Sequence, residues 1–104
     1  MKHNAQNPGG FVYIMADHFM GTIYIGVTSD LRGRVIEHKT DKYPDSFTAR
    51  YGCHTLVWYR EFSDIDTAID FETKFKHWKR NWKLREIIEL NPTWADLFDV
   101  LPYD

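Results

Sequence analysis

The chain has 104 residues, of which 43% are hydrophobic and 16% aromatic. This length and composition support one domain with a packed core and exclude a largely disordered protein. Lysine and arginine number 13 against 15 aspartate and glutamate residues, for a formal charge of −2, so the whole chain does not attract nucleic acid or anionic membranes. A site for an anion must therefore arise from local placement of charge.

The single cysteine and the absence of long apolar runs bear on the compartment and on metal binding. The one cysteine, Cys53, excludes an internal disulfide, and no Cys-x-x-Cys or clustered Cys/His spacing predicts a zinc site. Residues 1–10 lack the apolar core of a signal peptide, and no later run approaches the length of a membrane span. We expect a cytoplasmic protein without a membrane partner. Residues 1–9 are expected to be a flexible lead-in, and residues 10–104 a single domain.

Three short runs of β-prone residues predict the strands. Residues 11–15 and 22–27 are separated by residues 17–21, a segment short enough to form a hairpin loop. Residues 55–62 supply the third strand that an independently stable sheet usually needs. We therefore predict a three-stranded sheet that includes an antiparallel hairpin.

The segment between the second and third strands predicts one helix and one loop. Ser29 or Asp30 can cap a helix that begins at Leu31, with Lys39 placing positive charge in its last turn. Residues 42–53 contain a proline and a glycine and are interpreted as a loop.

Further helices are predicted after the third strand. The second helix begins at Ser63, in a sequence that resembles a capping box, and runs to about Lys79. Another helical pattern continues to Leu90, where an Asn-Pro pair ends it. Thr93 can cap a short final helix.

Charge is unevenly distributed near the C-terminus. Residues 73–85 carry six basic side chains and no acidic one, whereas residues 86–104 carry five acidic side chains and no basic one. Trp78 and Trp82 are interleaved with the basic segment, so it could present phosphate-binding cations beside stacking surfaces. The alternative is a solvated basic helix face with two tryptophans in the core.

One carboxylate is predicted to lie on an apolar helix face. At about 100° per residue, Glu72 projects into the apolar arc of the second helix. A carboxylate there is costly unless it is paired, neutralised or bound to a metal, so Glu72 either has a function or pairs with Lys76. The arc consists of Ala68, Ile69, Phe71, Phe75 and Trp78.

Two further pairs of side chains have the chemistry of a phosphodiester site. Arg34 and His38 lie four residues apart and project from the same side of the first helix. An arginine fork suits a phosphate, and histidine exchanges a proton near neutral pH. Tyr13 and Tyr24, one on each hairpin strand, could face a common groove or simply fill the core.

Taken together, these residues occur in the order of a known pattern. The pattern consists of Tyr13, Tyr24-Ile25-Gly26, Leu31-x-x-Arg34-x-x-x-His38 and Glu72. From residue 11 to about residue 85 the chain resembles the GIY-YIG nuclease superfamily. The stretch that begins at Phe71 is similar to the glutamate helix and basic region of small stand-alone bacterial members, which resemble the catalytic domain of the excision-repair nuclease subunit. The resemblance implies an α+β fold in which helices flank a three-stranded antiparallel sheet.

The resemblance also implies a function, hydrolysis of phosphodiester bonds in DNA with one divalent ion, Mg²⁺ or Mn²⁺. Two refinements stay open. The DNA could be branched or damaged, with cleavage linked to repair or recombination, and a protein partner could supply specificity. The alternative is a weakly active or inactive nucleic-acid binding module of the same fold. A third hypothesis is a protein-interaction domain that uses the surface around Trp82 and Trp94.

By position, the resemblance assigns roles to individual residues. Glu72 would be the metal ligand, and Arg34 would hold the scissile phosphate. Tyr13 and Tyr24 would position or deprotonate the attacking water, and which of them does so stays open. His38 would assist water activation or orient its neighbours. The cations expected to bind nucleic acid are Arg34, Lys76, Lys79, Arg80 and Lys83.

The chain departs from the family pattern at three places. The first triplet is Val-Tyr-Ile at residues 12–14, rather than Gly-Ile-Tyr. Phe71 and Thr73 flank the glutamate where stand-alone relatives tend to have arginine and lysine, which lowers the expected affinity for the substrate. Some relatives carry an asparagine after the glutamate, and both Asn81 and Asn91 could match it.

Overall fold

A computed structural model describes residues 9–102 of the chain. Except for Gly9, the predicted lead-in lies outside the described residues. Among residues 9–102, no helix combines the length and the apolar content needed to cross a membrane. The elements are β1 (Gly10–Ala16), β2 (Ile23–Thr28), α1 (Leu31–Lys39), α2 (Phe47–Tyr51), β3 (Thr55–Phe62), α3 (Ile65–Phe75), α4 (Arg80–Leu90) and a 3₁₀ turn (Phe98–Val100).

The three strands form one antiparallel sheet in the order β2-β1-β3. The register places Tyr13 of β1 opposite Gly26 of β2 and Tyr59 of β3. Every residue of β1 is buried, because this central strand is covered on both faces and carries almost no polar side chain. The predicted hairpin, the predicted third strand and the α+β class are confirmed.

The two faces of the sheet belong to two different cores. Successive side chains of a strand point to opposite faces, so β1 contributes alternate residues to each core. The first core joins Val12 and Ile14 to Ala68 and Phe75 of α3. The second core joins the other set of β1 side chains to α1, and its members include Tyr13, Met15, Leu31 and Val35. The helices that carry the candidate site residues therefore lie on opposite faces of the sheet.

The prediction of a continuous loop at residues 42–53 was wrong. The short helix α2 occupies Phe47–Tyr51 within this segment. The hydroxyl of Ser46 accepts a hydrogen bond from the backbone N–H of Ala49 at its N-terminus. At the C-terminal end the chain turns through Gly52, whose φ of 65° is a left-handed conformation that glycine adopts at low cost.

The prediction of one helix from Ser63 to Lys79 was also wrong. The cap is Asp64, whose carboxylate accepts a hydrogen bond from the backbone N–H of Thr67 at 2.7 Å. The helix α3 then ends at Phe75, and the chain turns before α4 begins at Arg80. Glu72 therefore lies on α3, whereas three of the six basic side chains of residues 73–85 lie on α4.

The predicted final helix capped by Thr93 does not form among the described residues. Trp94 has a φ of 59°, a left-handed conformation that interrupts a right-handed helix. Only the 3₁₀ turn at Phe98–Val100 follows it.

Candidate functional site

The centre of the site is the phenol of Tyr13. Its side chain is fully buried in the middle of β1. A Cβ atom built on Gly26 would overlap the Tyr13 hydroxyl and ring carbons, so the phenol passes directly over this glycine. The glycine of the Tyr-Ile-Gly triplet therefore leaves room for a tyrosine from the neighbouring strand.

A chain of hydrogen bonds runs from Tyr13 through α1 to α2. The Tyr13 hydroxyl lies 2.8 Å from Nε2 of His38, and Nδ1 of the same ring lies 2.8 Å from Oγ1 of Thr48. Thr48 Oγ1 is in turn 3.3 Å from Oγ of Ser46, the N-cap of α2. Hydrogen bonds to both ring nitrogens thus hold the imidazole of His38 in place.

Burial and charge determine where the protons lie in this chain. Burial, with a smaller contribution from Tyr24, raises the pKa of Tyr13, so its hydroxyl stays protonated at neutral pH. Burial and the charge of Arg34 lower the pKa of His38, so the imidazole is neutral. The charge of Arg34 acts in the opposite direction on Tyr13 and favours its phenolate, but burial outweighs it. A neutral imidazole carries one N–H, so one ring nitrogen of His38 donates and the other accepts in its bonds to Tyr13 and Thr48.

Tyr24 lies on the solvent side of this buried chain. Its ring centroid is 5.5 Å from that of His38 and 6.3 Å from that of Tyr13, and its side chain is half-buried. The two tyrosines therefore lie in the same cluster, but only Tyr24 is accessible to solvent. The sequence alone had left open whether they face a common groove or fill the core.

Arg34 lies at the edge of the cluster and has an acidic neighbour. Its Nε is 3.1 Å from a carboxylate oxygen of Glu37, whose other oxygen is 3.3 Å from Nζ of Lys42. The Arg34 side chain is 41% exposed, so part of the guanidinium fork remains open to an incoming anion.

Glu72 occupies a different face of the sheet. It is only 8% exposed and lies on α3 between Ala68 and Phe75, as its helical position predicted. Its carboxylate is 2.7 Å from Nζ of Lys76, so the ion pair weighed as an alternative is present. Among residues 9–102 the ion pair with Lys76 is the one polar side-chain interaction of Glu72, and no group of three or more His, Cys, Asp or Glu side chains is placed to hold a metal.

The structure thus brings together four of the five predicted catalytic residues. The residues that meet are Tyr13, Tyr24, Arg34 and His38.

Two of the predicted nucleic-acid-binding cations hold backbone carbonyls. Nη2 of Arg80 donates to the carbonyl oxygens of Met20 at 3.0 Å and Gly21 at 2.6 Å, in the hairpin loop. Nζ of Lys83 donates at 2.8 Å to the carbonyl of Lys76, just after α3. These bonds fix α4 against the hairpin and against α3, so both cations have a structural role.

The remaining features of the basic segment differ in exposure. Lys79 is exposed and forms no ion pair within residues 9–102. Trp82 is also exposed and lies edge-on to the half-buried Trp78, with ring centroids 6.2 Å apart. Trp94 is buried in the core, so the surface proposed around Trp82 and Trp94 is not one patch.

The two asparagine candidates have different environments. The buried side-chain amide of Asn91 donates to the carbonyls of Val57 at 3.1 Å and Ala95 at 2.7 Å. Asn91 therefore serves the fold by tying the end of α4 to β3, whereas Asn81 is exposed on α4.

Sequence reasoning missed the polar partners Glu37, Ser46 and Thr48. Glu37 could have been found from its i, i+3 spacing to Arg34 on α1. Ser46 and Gly52 are ordinary helix-capping residues, but the five residues of α2 are too few to show a helical period.

Comparison with known proteins identifies the family of the chain. The family model of the GIY-YIG catalytic domain matches residues 9–93, so the chain belongs to the GIY-YIG family, whose domains are nucleases that act on DNA. A UPF0213 protein of Pectobacterium carotovorum subsp. carotovorum (strain PC1) is 28% identical over 85 residues, which cover 82% of this chain and 84% of the relative. The solution NMR structure of a UPF0213 protein from Bacillus halodurans is 28% identical, covers 79% of this chain and 84% of its own, and has a TM-score of 0.47.

Proposed function

We propose that this chain hydrolyses phosphodiester bonds in DNA with one divalent cation, Mg²⁺ or Mn²⁺. The observation that carries the proposal is the convergence of the Tyr13 phenol, the neutral His38 imidazole and the part-exposed Arg34 guanidinium within a GIY-YIG domain. These groups are suited to bind a phosphate and to organise a proton relay beside it.

The chemistry of Glu72 fits a hydrated divalent cation. Mg²⁺ is commonly held by one or two carboxylates, while water and substrate phosphate supply the other oxygens. Glu72 is such a carboxylate, and its partner Lys76 has a side chain exposed enough to swing away. Glu72 would therefore hold the ion, whose charge would polarise the phosphate and stabilise the leaving oxygen.

Arg34 is the residue we assign to the scissile phosphate. Its guanidinium presents several N–H donors, and its interaction with Glu37 uses only the Nε side of the fork. The remaining donors would bind phosphate oxygens and offset the negative charge that grows in the transition state. Glu37 would keep the guanidinium oriented in the absence of DNA.

Differences in burial separate the roles of the two tyrosines. Tyr13 is fully buried, stays protonated and hydrogen-bonds His38, so it positions its neighbours and does not meet the attacking water. Tyr24 is half-buried and lies against the His38 ring on the solvent side. We therefore assign the orientation and deprotonation of the attacking water to Tyr24.

We further propose that the substrate is branched or damaged DNA in the cytoplasm, in repair or recombination. A protein partner would supply part of the affinity. The support for a partner is that Lys76, Arg80 and Lys83 are engaged within the chain. Few cations are then left to bind the DNA backbone unaided.

The test is cleavage of plasmid, branched, flapped and single-stranded DNA with Mg²⁺, with Mn²⁺ and with EDTA. Glu72→Gln should abolish metal-dependent cleavage. Asp70→Asn is the matched control, because Asp70 pairs with Lys74 at the same i, i+4 spacing on the same helix but is exposed. No cleavage of any substrate, or equal activity in Glu72→Gln and the wild type, would disprove the proposal.

One observation favours the alternative, a nucleic-acid binding module with little or no catalysis. The carboxylate of Glu72 is already neutralised by its ion pair with Lys76, 2.7 Å away. Salt-dependent DNA binding without cleavage under all of the metal conditions would support this alternative.

A further inference from the structure

Three aromatic rings form a row that begins at the candidate site and ends in solvent. The centroid of Phe47 lies 5.9 Å from that of Tyr24, with 30° between the ring planes. The centroid of Tyr51 lies 4.6 Å beyond it, with 40° between the planes. Phe47 is 42% exposed and Tyr51 is 51% exposed. We refer to Tyr24, Phe47 and Tyr51 as the aromatic row.

Packing of the core does not explain the aromatic row. Phe47 and Tyr51 stand four residues apart on α2, whose one buried side chain is that of Thr48. A phenylalanine with this much exposure contributes little to the core and leaves apolar surface in water. A ligand with a flat aromatic face would cover that surface.

The aromatic row is held in a fixed position relative to the phosphate site. Thr48, on the same helix as the two outer rings, hydrogen-bonds Nδ1 of His38, and Ser46 caps the helix and contacts Thr48. His38 in turn hydrogen-bonds Tyr13, and Arg34 lies one turn before His38 on α1. The rings and the guanidinium are thus parts of one connected polar and aromatic network.

Positive charge accompanies the rings. Arg50 lies on α2 between the two outer rings, is exposed and forms no ion pair within residues 9–102. Arg34 lies at the inner end of the row, near Tyr24. Aromatic faces flanked by cations are the arrangement with which proteins bind unpaired nucleotides, because the rings stack on bases while the cations contact the backbone.

We propose that the aromatic row is a stacking subsite for an unpaired nucleobase adjacent to the phosphate bound by Arg34. The inference rests on the proposed function for the position of that phosphate. Within a duplex both faces of a base are covered by its neighbours, so only an unpaired or splayed base can stack on Phe47 and Tyr51. The substrate class is therefore DNA that is single-stranded, or has an unpaired base, at the point of cleavage.

The experiment measures binding apart from cleavage. A fluorescently labelled single-stranded oligonucleotide and the corresponding blunt duplex are titrated in EDTA, and the anisotropy gives each Kd. The Phe47→Leu/Tyr51→Leu double variant keeps apolar side chains but loses both flat rings. We expect it to bind the single strand about 10- to 100-fold more weakly, since stacking on one base contributes about 1–3 kcal/mol, while its affinity for the duplex is nearly unchanged.

The matched control exchanges the rings. The Phe47→Tyr/Tyr51→Phe variant keeps both aromatic faces and should bind the single strand as the wild type does. Melting temperatures establish that each variant is folded, and Tyr51→Leu alone replaces the double variant if that one unfolds. The single variant should show a smaller loss of the same kind.

Two results would overturn the stacking subsite. One is single-strand binding that the leucine variants leave unchanged, and the other is an equal loss of affinity for the single strand and the duplex. Failure of the wild type to bind the single strand would also overturn it. Ring-dependent binding without metal-dependent cleavage would instead refute the proposed nuclease and leave the subsite standing.

Discussion

The hydroxyl of Tyr13 lies 2.8 Å from Nε2 of His38, although the two residues are 25 positions apart in the chain. The bond joins the central strand of the sheet to α1 at a place where Tyr13 has no access to water. A buried polar group without a partner is costly, so the bond favours one orientation for both rings. Substitutions along this network should therefore separate its structural contributions from its catalytic ones.

Tyr13→Phe should destabilise the protein by about 1–3 kcal/mol. The substitution removes a buried hydroxyl and leaves Nε2 of His38 without its hydrogen-bond partner. Chemical denaturation measures the effect. Tyr24→Phe is the control, because Tyr24 is half-buried and its hydroxyl has no side-chain partner among the described residues. Tyr24→Phe should cost at most about 0.5 kcal/mol but abolish cleavage, and equal stability losses would contradict the assignment of roles.

Thr48→Val should slow cleavage without weakening DNA binding. Valine keeps the shape of threonine but removes the hydroxyl that hydrogen-bonds Nδ1 of His38. The imidazole then loses the contact that determines its tautomer and orientation, so kcat should fall while the Kd for DNA in EDTA stays constant. Thr48→Ser restores the hydroxyl and should restore kcat. If serine behaved like valine, the hydroxyl would not position His38.

The unfolding free energy should fall as the pH is lowered through the ordinary range of histidine. Burial and the charge of Arg34, with a smaller effect of His54, lower the pKa of His38 in the folded protein, while Glu37 opposes them. Below about pH 6.5 the unfolded chain binds a proton that the folded protein does not, so acid favours unfolding. Denaturation at about pH 7.5 and about pH 5.5 measures the effect. His38→Gln should show a smaller pH dependence than the control His77→Gln, at an exposed histidine that does not act on His38, and equal dependence would contradict the prediction.

The strands could be predicted from sequence more completely than the helix ends. The central strand β1 is a short run rich in β-branched, aromatic and other apolar residues, and β3 begins with such a run before Arg60 and Glu61. Turn-forming residues bound these runs, which favours strands over helices. The break between Phe75 and Arg80 contains no glycine or proline, and Trp78 continues the apolar pattern because it packs against the same core. The periodicity of apolar residues cannot locate a turn when the residues before and after it pack against the same core.

The part of the candidate site that lies on one helix could be predicted from the sequence, because its residues are one helical turn apart. The i, i+4 spacing of Arg34 and His38 indicated a shared ligand, and both contact Tyr13. Thr48 reaches His38 only through tertiary packing, so no local pattern indicated it. The helical projection placed Glu72 correctly but also placed Ile69 on the apolar face, where the structure leaves it 45% exposed.

Arg80 and Lys79 are adjacent cations that should behave oppositely when substituted. Arg80→Met removes the hydrogen bonds to the hairpin carbonyls of Met20 and Gly21, and should lower the unfolding free energy by about 1 kcal/mol. Lys79→Met removes an exposed cation without an ion-pair partner in residues 9–102, so stability should change by less than about 0.5 kcal/mol. If Lys79 neutralises a DNA phosphate, its loss should make the slope of log Kd against log salt concentration shallower by about one. A stability loss at Lys79 together with none at Arg80 would contradict this division between structure and binding.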